Sequence, residues 1–429
     1  MTTGLKRSLS LTELGFYGVG TIVGAGIYSV LGAAAGVAGP GVWISLLLAG
    51  VAAMITALSY AELISLYPQA GAEYHFLKRA LPKWPLLPFF AGLLIALNAA
   101  ATSATVALAF GGYLRVFLDI PMAVTAFVLL SLCTLVNIAG IRESTWASIA
   151  LICVEVSGLL LLIVAGFMHT DVLAAVQLPA AGDAGAIIAA TALIFFIYVG
   201  FEDVANLAEE AHEPRRDVPR ALLISVVITT LIYLLVALVA LALAPPEVLA
   251  KSESPLTTAA DAVAPWIGKT LAVTALFATA STALIALISI SRLLYGMARD
   301  GALPALLARL TPARRTPWVA ALALYAGACA LLPLGEVRVV ASVSALGVLS
   351  VFVGVQAALI TLRFTKPELP RKFRVPGNIG RLPLLPVLGI IMTLGLLTQF
   401  EARVYLVGGI AVAIGLLLHK LAGHNSAGK

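Results

Sequence analysis

Gly18-Val-Gly-Thr-Ile-Val-Gly-Ala-Gly-Ile-Tyr28 lies within an apolar run that extends from about Leu14 to Ala38. A run of this length crosses a bilayer as a helix, which needs about 20 residues. Yet Gly18, Gly20, Gly24 and Gly26 crowd its middle, and each glycine costs a helix about 1 kcal/mol relative to alanine. A helix that only had to span would not concentrate that cost at its centre. One reading is a broken helix whose free N–H groups around Gly24-Ala25-Gly26 meet an anionic group. The other is close helix–helix packing through small residues.

The remaining composition places the stretch in a membrane. Of 429 residues, 61% are hydrophobic and only 11% charged, and the mean hydropathy is +1.04. Too little charge is present to keep a soluble domain of this size in water. The apolar segments are near 20 residues rather than alternating tens, so the spanning structure is helical and not a barrel. The net charge of +6 comes from basic residues scattered over short loops, which speaks for membrane orientation and against nucleic-acid binding. Cys133, Cys153 and Cys329 all fall in apolar segments and the five histidines form no cluster. Neither a disulfide framework, a metal site nor a cofactor site is expected.

Twelve spans are predicted, at about 13–36, 41–67, 86–112, 121–139, 145–168, 185–208, 219–244, 267–297, 317–334, 337–362, 383–399 and 402–421. Ser10-Leu-Thr-Glu13 has capping-box spacing and starts the first. Cytoplasmic N- and C-termini put all but five of the 27 Lys and Arg on the cytoplasmic side, the exceptions being Arg115, Lys251, Lys269, Arg338 and Arg403. The connection from about Pro245 to Ile267 has room for a short helix over the outer mouth. The loop Arg363–Arg381 holds six basic residues and reads as a solvated or lipid-facing surface. No Asn-x-Ser/Thr acceptor is present, which suits a bacterial inner membrane.

A second interruption falls in the sixth span, Phe195-Phe-Ile-Tyr-Val-Gly-Phe-Glu-Asp-Val204, where Gly200 sits among bulky residues ahead of Glu202 and Asp203. Glycine breaks in spans one and six, five apart, point to two inverted five-span repeats with a substrate site at their interface. The repeats would cover 13–168 and 185–362, with two extra helices over 383–421. The pairing favours the broken-helix reading of Gly18–Tyr28.

Glu62, Glu155, Glu202, Asp203 and Arg292 fall within or near the spans. A charge at the bilayer centre costs about 3 kcal/mol on insertion scales, so such groups invite a functional reading. Glu155, in Ile152-Cys-Val-Glu-Val-Ser-Gly158, is the deepest and has no opposite charge near it in sequence. It reads either as a carrier of a proton or as a neutral acid hydrogen-bonded to another helix. Glu62, Glu209 and Glu210 lie near cytoplasmic span ends, where Arg215, Arg216, Arg220 and Arg299 are candidate partners. Ser281 and Thr282 are mid-span hydroxyls that bond back to their own helix or face a pocket. Neither a zinc-protease nor a phosphate-loop motif is present, and no Ser/His/Asp set shares one depth, so nothing supports an enzyme.

These blocks together resemble the amino acid–polyamine–organocation transporter superfamily. Gly20–Tyr28 is similar to its first-helix signature. Tyr60-Ala-Glu-Leu63 and Tyr67-Pro-Gln-Ala-Gly-Ala-Glu-Tyr74 resemble its second span and following loop. Phe196–Glu202, Ala205–Glu210 and Arg216-Asp-Val-Pro-Arg220 resemble span six and its exit. Arg292–Gly301 and Phe373-Arg-Val-Pro376 resemble the end of span eight and the loop before span eleven. The resemblance implies the inverted-repeat fold and alternating access. It implies that Val23, Gly24, Ala25 and Gly26 meet an amino acid carboxylate and that carbonyls around Phe196, Ile197 and Gly200 take its ammonium. Tyr198 and Asn98 are further pocket or gating candidates, and Glu202 either lines the side-chain end of the pocket or faces the scaffold. Many relatives carry a lysine in the fifth span where this chain has Glu155, so their coupling does not transfer. Glu155 with Ser281 and Thr282 would serve a proton or, with hydroxyl oxygens completing the site, a sodium ion.

The function expected is proton-coupled uptake of neutral amino acids. The alternatives are a sodium-coupled carrier or exchanger of cationic amino acids or polyamines, or a pore or transport-incompetent sensor on the same fold. Oligomeric state is not legible.

Overall fold

The computed structural model describes residues 9–68, 72–84, 86–139, 145–175, 183–208, 211–312 and 316–426. Ser10 caps the first helix as its spacing predicts: its N–H donates to Glu13 Oε2 at 2.8 Å and its Oγ accepts from Glu13 N at 3.3 Å. Helix α1 runs Leu11–Val23 and α2 runs Gly26–Ala38. Gly39, at φ +56°, turns the chain through a short 3₁₀ segment into α3, Val42–Leu66; few residues other than glycine tolerate that angle. The amphipathic α4, Ala72–Ala80, buries Phe76 and Leu77. Beyond it come α5 (Leu86–Leu114), α6 (Met122–Ala139) and α7 (Thr145–His169).

The second half opens with α8, Ala184–Ile194, which tightens into a 3₁₀ turn over Phe195–Tyr198. The four-residue α9, Asp203–Asn206, follows, then α10, Pro214–Leu243, entered through a proline whose missing N–H is an orphan in any first turn. Two short helices, α11 (Pro246–Lys251) and α12 (Pro255–Asp261), occupy the connection where one was expected. They seat on α2 because Gly32 and Gly36 leave room: a Cβ at Gly32 would lie 2.6 Å from Leu249 O, and one at Gly36 2.8 Å from Ala250 Cβ. Then come α13 (Pro265–Arg299), α14 (Trp318–Leu331), α15 (Val337–Thr365), a minimal hairpin (β1, Asn378–Ile379; β2, Leu382–Pro383), α16 (Leu384–Leu397) and α17 (Ala402–Ser426).

Among the described residues nine helices are long and apolar enough to cross a membrane, the unit Gly26–Leu66 counting as one. Leu11–Val23, Trp318–Leu334 and Leu384–Leu397 are shorter apolar helices. At the centre, α5 packs against α13 and α15, while α3 and α1 pack against α10. Phe127, Leu135, Val164, Leu231, Phe277, Leu406 and Ile414 stay exposed on the outside, an apolar belt suited to acyl chains rather than water. The chain is an integral, multi-pass helical membrane protein.

One polar cluster corrects the sequence reading. Glu62 does not pair with Arg215, Arg216, Arg220 or Arg299 but with the loop expected to be a solvated or lipid-facing surface. Arg363 grips it in a fork, Nε to Oε1 at 2.6 Å and one terminal nitrogen to Oε2 at 2.5 Å. Arg371 Nε stands 3.0 Å from Oε1, and Val375 N–H donates to Oε2 at 2.8 Å. Glu62 and Arg363 are 0% and 2% exposed, and a charge so buried must be paired at once. Lys366, Lys372, Arg374 and Arg381 in the same loop do remain exposed. Glu209 and Glu210 lie outside the described residues.

Glu62→Gln is expected to lower stability by about 3–5 kcal/mol, the cost of stranding one partner of a buried pair. Thermal unfolding in detergent checks this. Arg216→Gln, which breaks only an exposed 3.7 Å pair with Glu213, serves as the reference with little change; equal melting temperatures for the two variants would refute the role of Glu62.

Candidate functional site

Between α1 and α2 the backbone leaves helical geometry at Gly24, with φ −21° and ψ −149°. Ala25 caps α2 without a side-chain hydrogen bond. Gly26, Ile27 and Tyr28 therefore begin a helix with no preceding turn to accept their N–H groups, and the dipole places partial positive charge there. In the second half Val199 is extended and Gly200 has φ +122°, an angle that strains any side chain. A Cβ at Gly200 would also stand 2.7 Å from Thr21 O, and one at Gly26 would stand 3.0 Å from Ile197 Cα. The two irregular segments touch, and glycine is what permits it.

Side chains satisfy the carbonyls and amides that these segments release. Tyr233, from the middle of α10, places its hydroxyl 2.5 Å from Ile22 O and 3.0 Å from Ile197 O, so one proton serves a carbonyl from each segment. Thr21 Oγ1 lies 3.2 Å from Gly200 O, and Gly200 N–H donates to Glu202 Oε2 at 2.9 Å. Ala25 N–H donates to Thr282 Oγ1 at 3.1 Å. Tyr28 donates to the backbone carbonyl of Glu155 at 2.8 Å, and Tyr113 to that of Tyr28 at 2.8 Å, binding α5, α2 and α7 together.

The residues singled out for coupling meet at this place. Ser281 Oγ donates to Glu155 Oε1 at 2.7 Å, and Glu155 is 3% exposed. Thr282, the next residue of α13, holds the amide of Ala25. Glu155 is thus joined to α2 twice, through Tyr28 and through the Ser281–Thr282 pair. Among the described residues no basic side chain pairs with its carboxyl group.

Val23, Gly24, Ala25, Gly26, Ile197 and Gly200 cluster at the two irregular segments, and Phe196 is buried within the 3₁₀ turn. Tyr198 turns its hydroxyl away to Leu46 O of α3 at 3.0 Å. Asn98 lies between α5 and α15, where Oδ1 accepts from Ser344 Oγ at 2.5 Å and Thr102 Oγ1 at 3.1 Å. Sequence reasoning missed Tyr233, Tyr113 and Thr21. Tyr233 sits in an ordinary apolar run, and its only local signal is that a buried tyrosine hydroxyl needs a partner.

Below the second segment, Tyr60 stacks edge-on with Phe76, Phe201 and Phe352 at 5.6–6.0 Å between ring centres. Its hydroxyl donates to Glu73 Oε1 of α4 at 2.9 Å. Burial raises the Glu73 carboxyl from an ordinary 4.5 to about 7, with the charge of Asp203 pushing the same way and hydrogen bonds from its own backbone and Tyr60 opposing.

A family model described as amino acid permease matches residues 9–412. The chain is 29% identical to the branched-chain amino acid permease BcaP of Bacillus subtilis, over 95% of this chain and 92% of that one. It is 29% identical to the methylthioribose transporter of the same organism, over 97% and 93%. It is 31% identical to the vacuolar cationic amino acid transporter 4 of Arabidopsis thaliana, over 85% and 64%. These relatives are transporters, not enzymes.

Tyr233→Phe keeps the ring and removes the shared proton. Losing about 1–3 kcal/mol of buried hydrogen bonding should cut transport tenfold or more in protein that still inserts and runs as a single peak on gel filtration; wild-type transport would refute the bridge. A carboxyl group with a raised folded-state value binds its proton more tightly when folded, so Glu73 lowers stability as pH climbs from about 4.5 to about 7. Glu73→Gln should flatten the melting temperature over that window, and an undiminished pH slope would exclude Glu73 as its source.

Proposed function

The chain belongs to the amino acid permease family, and we propose that it is a secondary active transporter that takes up neutral amino acids together with protons. In this reading Leu11–Val23 and Gly26–Ala38 are halves of one interrupted span, and Ala184–Ile194 and Asp203–Asn206 belong to a second. The two units 13–168 and 185–362 are inverted repeats that rock about the site between them, and 383–421 adds two helices. The N–H groups that start α2 take the substrate carboxylate, and carbonyls near Phe196, Ile197 and Gly200 take its ammonium. The termini are cytoplasmic, as the Lys and Arg distribution suggests, and the membrane is a bacterial inner membrane, which the lack of Asn-x-Ser/Thr acceptors suits.

The observation that carries the proposal is the buried Glu155, which meets no basic side chain among the described residues and is linked to Ala25 through Ser281 and Thr282. A carboxyl group so placed can report its protonation to the substrate amide site. Neutral substrates are favoured over cationic ones because the Glu202 carboxylate is engaged by Gly200 N–H rather than free to meet a basic side chain. The branched-chain permease among the relatives supports the same class.

The test is uptake of labelled branched-chain amino acids, lysine and putrescine into sodium-free proteoliposomes, with an acid-outside gradient and a protonophore. Accumulation of the branched-chain substrates that collapses with the protonophore is expected. Glu155→Gln should lose that pH dependence while retaining exchange, and Gly26→Val should abolish uptake by driving a side chain into Ile197. Uptake that requires sodium, or only lysine uptake against internal substrate, would replace the proposal with sodium symport or cationic exchange.

A further inference from the structure

At the end of the bundle where α3 finishes and α10 begins, a cavity of about 400 Å³ opens among Leu66, Tyr67, Arg79, Arg215, Leu369 and Pro370. The transport site does not use it. Its walls come from four separate segments, and those of Tyr67, Arg79 and Leu369-Pro370 are held in place by contacts of their own. Tyr67 ends α3, donating its N–H to Leu63 O at 2.8 Å. The Arg79 guanidinium, in the last turn of α4, lies 4.5 Å over the centre of the Tyr67 ring, a cation–π contact that fixes the ring and the charge together. Arg215 stands exposed in the first turn of α10, while its neighbour Arg216 is the one paired with Glu213. The opposite wall, Leu369-Pro370, is pinned by Arg371, which donates to the carbonyls of Leu362, Lys366, Pro367 and Leu369 at 3.0–3.2 Å and stands against the buried Glu62.

The result is a built pocket with two guanidinium groups from different helices, an apolar and aromatic remainder, and, among the described residues, no acidic residue lining it. Lys366, Lys372 and Arg374 lie exposed in the loop of the same wall, together with Glu368. Guanidinium forks match phosphate oxygens in pairs. The pocket also sits at the ends of membrane-crossing helices, the depth at which lipid phosphates lie. We propose that this cavity binds the phosphate-bearing headgroup of an anionic phospholipid, with Arg79 and Arg215 on the phosphate and Leu66, Leu369 and Pro370 against the glycerol and first methylenes. A headgroup seated there ties α3, α4, α10 and the loop before α16 into one unit. The assignment is independent of the substrate and coupling ion read above.

The full-length protein, delipidated in detergent and offered equal amounts of phosphatidylglycerol and phosphatidylcholine, tests this by native mass spectrometry. Wild type should retain phosphatidylglycerol at least fivefold over phosphatidylcholine. Arg79→Gln/Arg215→Gln should bring the ratio near one, and the double lysine variant should fall between. Glycerol phosphate should compete with the lipid where chloride at equal ionic strength does not. Arg215→Gln alone, at an exposed position with no ion pair among the described residues, should lower the ratio at least threefold and carries the test if loss of Arg79 disturbs α4. An unchanged ratio in the glutamine variants would overturn the site, and so would binding of inorganic phosphate without any lipid preference, which would make it a pocket for soluble anions.

Discussion

A backbone amide or carbonyl that leaves helical pairing inside an apolar bundle must find another partner, because its burial unpaired costs several kcal/mol. That requirement accounts for much of the polar architecture around Gly24 and Gly200. Tyr233 attends to Ile22 and Ile197, Thr21 to Gly200 O, Glu202 to Gly200 N–H, and Thr282 to Ala25 N–H. The N–H groups at the start of α2 have no preceding turn to receive them, so the dipole and the geometry point at the same place. The proposed site for an anionic group would answer the same unmet hydrogen bonds that the break in the backbone creates.

Close approach is the second half of this constraint. Gly18 faces Ser225 and Gly20 faces Ile152, in each case where a Cβ would collide, while Gly26 and Gly200 let the two irregular segments meet. Close packing through small residues is therefore what Gly18 and Gly20 serve, while the backbone leaves helical geometry at Gly24. Some glycines serve packing against α10 and α7, and others serve the departure from helical geometry. Only the assignment of each glycine to a neighbour separates the two uses.

Charges follow the same economy of pairing. Glu62 and Arg363 are more than 300 residues apart in sequence and meet in a fork that Arg371 and Val375 complete. Glu73, Glu202 and Asp203 gather near Tyr60 at the same end of the bundle, where the Tyr60 hydroxyl ties α3 to Glu73 of α4 and the like charges of the carboxylates oppose one another. Glu155 differs from Glu62 in meeting no basic side chain among the described residues, and from Glu73, Glu202 and Asp203 in standing apart from other carboxylates, with Ser281 on its carboxyl group.

The sequence by itself determined the membrane class, the apolar helices with their approximate limits, the capped start at Ser10, the family, and the positions where glycine costs a helix most. It could do so because hydropathy, capping and glycine cost are local properties, read within a few residues. It also marked Glu155, Ser281 and Thr282 as worth attention, since polar groups in an apolar run are visible without a fold. Tertiary structure alone decided that these three stand together at Ala25, that Tyr233 and Thr21 bridge the two segments, that Glu62 belongs to Arg363 rather than to nearer arginines, and that Arg79 and Arg215 share one cavity. Hydrogen bonds and ion pairs across 100 to 300 residues depend on how helices are stacked, and no local pattern encodes which of several chemically equivalent partners a side chain will meet.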